Sequence, residues 1–435
     1  MTLLNNKQTL KQLFSLQGDR TLWAIFFFLS AISLIEVYSA ASSLISTRGV
    51  YSVMSAHFKY QLIGFICVWL FHNIPCRYFK SLTPAWLIIV LMLAYLLMFG
   101  EKVNDGARWI NLFGLRFQPS EFAKGLLVLI VAFILSTYQT KKSTDRHAFK
   151  YIMIFASVTC LLILPENFST AFILFSVIVA MMFFGRVPMK QLGKLFGVLA
   201  LFGVVAYGTV KILPMDKITK AVPSLHRLDN FVSRIDRFTE SKEDEFKNSK
   251  DSIIRNYHFD INKEPQVGHA NIAIAKSNVL GCGPGNSKER DFLYQAYSDF
   301  IFAIIIEELG LVGGAGVILL YIILLFRASR IANRCERNFP AFLVLGLAIL
   351  IVAQAAVNMS VAVGLIPVTG QPLPLISRGG SSIIATSIYF GMMLSVSRFA
   401  KKRQPATNTE KTETTPQTTT NIVNEQEFQS DSGIE

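Results

Sequence analysis

Apolar residues fall in long blocks separated by short polar breaks. They show neither the two-residue alternation of a half-buried strand nor the narrow stripe of a surface helix. Ten such blocks are evident, at 22–41, 60–74, 85–98, 122–135, 151–164, 171–184, 195–212, 300–326, 341–363 and 382–397. A helix of about 17 to 25 residues crosses the hydrocarbon core of a bilayer, and the blocks lie near that length. The pattern predicts an all-α polytopic membrane protein with about ten transmembrane helices. No small-residue cleavage site follows the first block, which reads as a retained anchor rather than a removed signal.

Two stretches break the pattern. Residues 215–298 are polar and charge-rich and form one large loop between helices 7 and 8. Inside it Leu225, Leu228, Phe231, Ile235 and Phe238 recur at helical spacing with Arg227, Arg234 and Arg237 among them, which fits either an amphipathic helix on the outer leaflet or a gate beside a site. After Arg403 the chain turns to Thr, Gln, Asn and Glu, a composition unable to bury a core and expected to be a disordered tail. The organisation is thus an N-terminal segment 1–21, a membrane domain 22–399 and a tail 400–435.

Composition agrees: of 435 residues 52% are apolar and 16% charged, and the mean hydropathy is +0.43. The net charge of +13 collects at the termini and at alternate loops, through Lys11 and Arg20, Arg77 and Lys80, Lys141 to Lys150, Arg186 to Lys194, Arg327 to Arg337, and Arg398 to Arg403. The positive-inside bias reads those segments and both termini as cytoplasmic and the 215–298 loop as extracytoplasmic. No nucleic-acid motif accompanies the charge, so no nucleic-acid partner is expected. The five cysteines show neither a disulfide framework nor metal-ligand spacing.

Within this frame a few ionisable residues sit at membrane depth, where a charge costs about 2.5 to 3.5 kcal/mol on insertion scales. Asp299 precedes the eighth block, as a candidate general base or as a helix cap together with Ser298. Glu308 follows about two and a half turns on and suits a structural partner for a buried cation. Ser120 and Glu121 follow Pro119 as an ordinary helix start, but Lys124 in the same turn opposes the helix dipole. Spaced three apart, Glu121 and Lys124 can pair on one face and line a polar cavity. Between Gly364 and Ser382 three prolines and four glycines build a rigid re-entrant turn. There Arg378 and Ser381, at the start of the last helix, could bind phosphate.

Several runs resemble the SEDS family (shape, elongation, division and sporulation), which includes FtsW and RodA. They are Gly106-Ala107-Arg108-Trp109-Ile110, Gln118 to Lys124, Gly281 to Ser287, Ser298 to Ala303 with Glu307-Glu308-Leu309-Gly310, and Ile376 to Ser382. The resemblance covers about 22–398 in order. Glu36 to Ser42 and the long tail look more like the FtsW branch than the RodA branch, and the phrasing resembles that of Bacteroidetes members. At 165–170 the chain reads Pro-Glu-Asn-Phe-Ser-Thr where the family commonly has Gln-Pro-Asp-Leu/Phe-Gly-Thr, a departure that puts any role of that aspartate in doubt here.

The resemblance implies a peptidoglycan glycosyltransferase that polymerises lipid II during division, at the outer face of the inner membrane, with undecaprenyl diphosphate as leaving group. It implies as partners a class B penicillin-binding transpeptidase and other division proteins. The family's essential acid corresponds to Asp299, and its Glu and Lys to Glu121 and Lys124. Such chemistry needs a base at the acceptor hydroxyl and positive charge at the diphosphate. Arg108, Lys124 and Arg378 are candidates for the second task. No cofactor is certain, although a divalent cation (Mg2+ or Mn2+) could assist, with no dedicated ligands evident. The competing readings are a lipid II flippase, a RodA-like elongation polymerase and a non-catalytic scaffold.

Overall fold

The structure, a computed structural model, describes residues 16–40, 49–100, 109–112, 115–140, 143–212, 265–293 and 296–400. Among them the long helices are α1 (Arg20–Ala40), α2 (Val50–Asn73), α3 (Ala85–Phe99), α4 (Pro119–Thr137), α5 (Arg146–Ile163), α6 (Phe168–Phe184), α7 (Met189–Ile212), α9 (Ile301–Arg334), α10 (Asn338–Ala362) and α11 (Gly380–Phe399). These ten helices fall on the ten apolar blocks. A shorter helix, α8 (Pro265–Lys276), lies in the described part of the large loop. By length and apolarity seven of the described helices can each cross a membrane, or eight if the bent pair 76–82 and 85–99 is one span. The chain is a multi-pass membrane protein.

Its exterior is what lipid requires. Phe28, Ile88, Leu91, Phe172, Leu319 and Phe326 are all exposed, while α4, α10 and α11 are largely buried and form the centre of the bundle.

Three features depart from the apolar-block reading. Helix α2 begins at Val50 rather than near residue 60; in the added stretch His57 is buried, and its Nε2 lies 3.0 Å from the Ser33 Oγ of α1. Helix α9 continues to Arg334, past the expected end at 326. Its last turns carry arginines, which suit a helix C-terminus and can extend their heads to water. Finally, β1 (Ile110–Leu112) and β2 (Leu115–Phe117) form a small antiparallel ribbon with Ile110 opposite Phe117. Gln118 follows at once as the residue preceding α4, so the ribbon sets where Ser120 and Glu121 enter the bundle.

Helix α9 is also broken. Its 34 residues would run about 50 Å if straight, well beyond a hydrocarbon core of about 30 Å. Gly310, with φ 73°, interrupts it. Residues 301–308 are buried on every side, so this first segment is core rather than lipid-facing wall. The glycine-rich loop supplies the hydrogen bonds that the break would orphan. Cys282 and Gly283 donate to the carbonyls of Glu307 and Glu308, at 3.0 and 2.9 Å, and Leu311 donates to the Asn278 oxygen at 3.3 Å. The approach is so close that a Cβ at Gly281 would lie 2.2 Å from the Glu308 oxygen, and one at Gly310 2.3 Å from the Val279 oxygen.

Candidate active site

Asp299 occupies a turn one residue before the Phe300 cap of α9. It is therefore not itself the helix cap. The side chain is half-buried, and Ser298 Oγ donates to its Oδ1 at 3.0 Å. Its backbone is fixed from α10, where Asn358 Nδ2 donates to the Asp299 carbonyl at 2.9 Å and to the Gln371 carbonyl at 2.7 Å. Gln371 in turn donates through Nε2 to Thr170 Oγ1 at 2.6 Å. The segment 165–170 thus reaches the site, with Asn167 capping α6 by accepting from the Thr170 amide at 3.1 Å.

The irregular segment between α10 and α11 passes through the protein interior, with Leu373, Leu375 and Ile376 buried. This satisfies the condition for non-helical backbone at membrane depth. Ser377 Oγ donates to the Ser298 carbonyl at 2.6 Å, and the Arg378 amide to the Tyr297 carbonyl at 2.9 Å. The Arg378 guanidinium lies over the Tyr297 ring, 5.5 Å from its centroid. A Cβ at Gly370 would lie 3.8 Å from Asp299 Oδ2, so the Gly370 backbone passes close beside the carboxylate. Ser381 is buried in the first turn of α11, and among the described residues its hydroxyl has no hydrogen-bond partner. The Asp299 carboxylate, the Arg378 guanidinium and the start of α11 therefore belong to one assembly.

A second assembly contains the predicted pair. Lys124 Nζ lies 2.8 Å from Glu121 Oε1, with the lysine fully buried and the glutamate nearly so. Tyr389 of α11 holds the same turn, donating to the Glu121 carbonyl and accepting from the Gly125 amide at 3.1 Å. Only glycine fits there, since a Cβ at 125 would meet the Tyr389 ring at 2.1 Å. Ser120 is buried and accepts from Gln118 Nε2 at 3.1 Å. The pair forms as its spacing predicts, but it is sealed within the bundle and does not line an open cavity.

Glu308 is the anchor of the glycine-rich loop. It accepts from the Gly285 and Ser287 amides at 2.9 and 3.2 Å and from Ser39 Oγ of α1. Its Oε1 is 3.9 Å from Arg290 Nη1, which donates to Ser39 at 2.9 Å. Beside it, Glu307 accepts from Ser287 Oγ and from the Lys288 amide at 3.1 Å. Further out, Glu289 receives Lys276 Nζ at 2.6 Å and lies 2.8 Å from His269 Nδ1, tying α8 to the loop. Burial alone would raise the Glu289 carboxyl, but hydrogen bonds from Lys276 and His269 outweigh it and hold the group below its ordinary value.

Arg108, residues 225–238 and the tail 401–435 lie outside the described residues. The sequence reading assigns no role to Asn358, Gln371, Thr170 or Tyr389. Asn358 and Gln354 in an otherwise apolar helix were the available signal, because polar side chains inside a membrane need partners. Among the described residues no group of three or more His, Cys, Asp or Glu converges to hold a metal ion.

Fold and site together define a polytopic membrane protein with a polar, charge-bearing interior where α9, α10 and the re-entrant segment meet. The chain belongs to the FtsW/RodA/SpoVE family of cell cycle proteins, whose model matches residues 19–402. A relative from Halomonas elongata, described as "Probable peptidoglycan glycosyltransferase FtsW", is 30% identical over 84% of this chain and 87% of its own length. A Haemophilus influenzae relative with the same description is 29% identical over 87% of this chain and 90% of its own. Among solved structures, a chain reported under "Structural coordination of polymerization and crosslinking by a peptidoglycan synthase complex" superposes with TM-score 0.67 at 24% identity, covering 88% of this chain and 98% of that one. The rod shape determining protein RodA of Thermus thermophilus superposes with TM-score 0.59 at 22% identity, covering 88% and 97%. These two likenesses concern the fold.

Proposed function

We propose that this chain is a peptidoglycan glycosyltransferase that polymerises lipid II into glycan strands at the outer face of the inner membrane during cell division. Family membership over nearly the whole chain and the names of its relatives support the reaction class. The observation that carries the mechanism is Asp299, a half-buried carboxylate whose backbone is fixed from α10 and whose neighbours hold Arg378.

In this reading Asp299 takes the proton of the acceptor sugar hydroxyl as its oxygen forms a bond to the donor's anomeric carbon. The bond from that carbon to the diphosphate breaks, and its electron pair leaves with undecaprenyl diphosphate. A positioned base contributes about 10² to 10⁴ in rate. Arg378, with the amides and Ser381 at the start of α11, offsets the charge growing on the leaving group. Arg108 would add to this positive charge. Lys124 contributes through Glu121 and the α4 turn, since its ammonium is engaged there. A divalent cation such as Mg2+ or Mn2+ would be held chiefly by the diphosphate with one protein carboxylate, the usual arrangement for Mg2+ at phosphate sites.

Strands need crosslinking after polymerisation, so the proposed partners are a class B penicillin-binding transpeptidase and further division proteins. The exposed apolar face of α9, with Leu311, Leu319 and Ile322, offers a surface for a partner's membrane helix. Purified protein mixed with lipid II, with and without the transpeptidase, should yield glycan strands resolvable by length. Translocation of lipid II across vesicles with no strand formation would instead assign a flippase.

A further inference from the structure

A cavity of about 480 Å³ lies at the opposite, basic end of the bundle, where the start of α1 meets the ends of α9 and α11. Arg20, Arg327, Arg334 and Arg398 line it, with one carboxylate, Asp19. Asp19 is already committed: its Oδ2 takes Arg327 at 2.7 Å, and its Oδ1 caps α1 by accepting from the Thr21 amide at 3.0 Å. Arg398 reaches Asn73 Oδ1, a neutral acceptor, at 2.7 Å. Arg20 and Arg334 are exposed and have no acidic partner among the described residues. Three of the four guanidinium groups thus have no acidic partner among the described residues, around a floor of buried Ile331, Cys335 and Val396.

Topology alone accounts for arginines at such helix ends, but not for their convergence on a cavity with an apolar floor. The cavity is also flanked by exposed aromatic rings under cations. Arg330 lies over Phe326 at 5.4 Å and Arg398 over Phe399 at 4.6 Å. Arginine heads extended from helix ends over apolar rings suit the level of lipid headgroups, where the charge reaches the interface and the stem and ring stay apolar. A ligand there can place an anion among the arginines and acyl chains against Phe326 and Phe399.

We propose that this cavity is a binding site for one anionic glycerophospholipid headgroup. The phosphodiester accepts from Arg20, Arg334 and Arg398, whose fork geometry suits phosphate oxygens. The site is separate from Asp299, and the proposed orientation matters only for assigning the lipid to the inner leaflet.

The test is native mass spectrometry of the full-length protein titrated with phosphatidylglycerol, phosphatidylcholine or inorganic phosphate. One phosphatidylglycerol should be retained, phosphatidylcholine should not, and inorganic phosphate should fail to displace the bound lipid. Arg20→Gln and Arg334→Gln, both at exposed positions that folding tolerates, should each lower its retention about five-fold. Arg337→Gln, exposed nearby but outside the cavity, should leave retention unchanged. Equal loss in Arg337→Gln would reduce the site to general surface charge and overturn the proposal. Equal retention of phosphatidylcholine, or displacement by inorganic phosphate alone, would overturn it too. Because the readout is binding, it is independent of whether the chain polymerises lipid II.

Discussion

Asn358 on α10 donates to the backbone carbonyl of Asp299 at 2.9 Å, and through the same amide nitrogen to Gln371 at 2.7 Å. One buried side chain thus joins the turn that carries the proposed base to the re-entrant segment. Asn358→Leu keeps the size but removes both donations. Each orphaned buried carbonyl costs about 1 to 3 kcal/mol, and a shift of the turn by about 1 Å lowers turnover about 10²-fold. Steady-state polymerisation by the purified variant should show that loss mainly in kcat. Wild-type kcat would make Asn358 a packing residue only.

The Glu121–Lys124 pair can be separated into stability and activity. Lys124→Met leaves a buried carboxylate without its cation, which costs about 3 to 5 kcal/mol. The double variant Glu121→Gln, Lys124→Met removes both charges and should recover most of the melting temperature while remaining inactive on lipid II. Recovery of activity together with stability would confine the pair to bracing α4 against Tyr389.

Much of this was readable from the chain, and the limits have physical causes. The ten helices follow from apolar block length, and the Glu121–Lys124 pair from helical spacing. Block length is silent on where buried polar residues find partners, so α2 starts ten residues earlier than its apolar run. It is equally silent on the break at Gly310, which depends on the distant loop at 278–283. Asn358 and Tyr389 act on carbonyls far away in sequence, and local patterns carry no record of such pairings. The sealing of Lys124 likewise arises from tertiary packing by α11.

Orientation is testable through a native thiol. Cys282 is exposed on the glycine-rich loop, while Cys76, Cys160 and Cys335 are buried. Burial, then Glu307 and Glu308, push the Cys282 thiol up, so labelling should quicken with rising pH as thiolate forms. In intact spheroplasts a membrane-impermeant maleimide should modify Cys282 and miss a cysteine placed by Glu336→Cys. The reverse pattern would move the proposed active site to the wrong side of the membrane.

The Glu289 clamp predicts a defined acid response. Its folded carboxyl lies below the ordinary value of 4.5, so its contribution is fully present above that pH and is lost as pH falls through the lower folded value. Lys276 is raised by its hydrogen bond to Glu289, so the alkaline limit lies above the ordinary lysine value. Hydrogen exchange of residues 265–291, corrected for its intrinsic pH dependence, should stay protected from about pH 5 to neutrality and open below 4.5. Glu289→Gln should abolish that acid transition, and an unchanged transition would assign it to other carboxylates.

The central claim is that Asp299 is the base. Asp299→Asn keeps the side-chain size and the acceptance from Ser298 but removes the basic oxygen. Polymerisation of purified lipid II by this variant, measured beside the wild type at equal membrane insertion, should fall by about 10² to 10⁴ with substrate binding nearly unchanged. Strand synthesis at the wild-type rate would contradict the account.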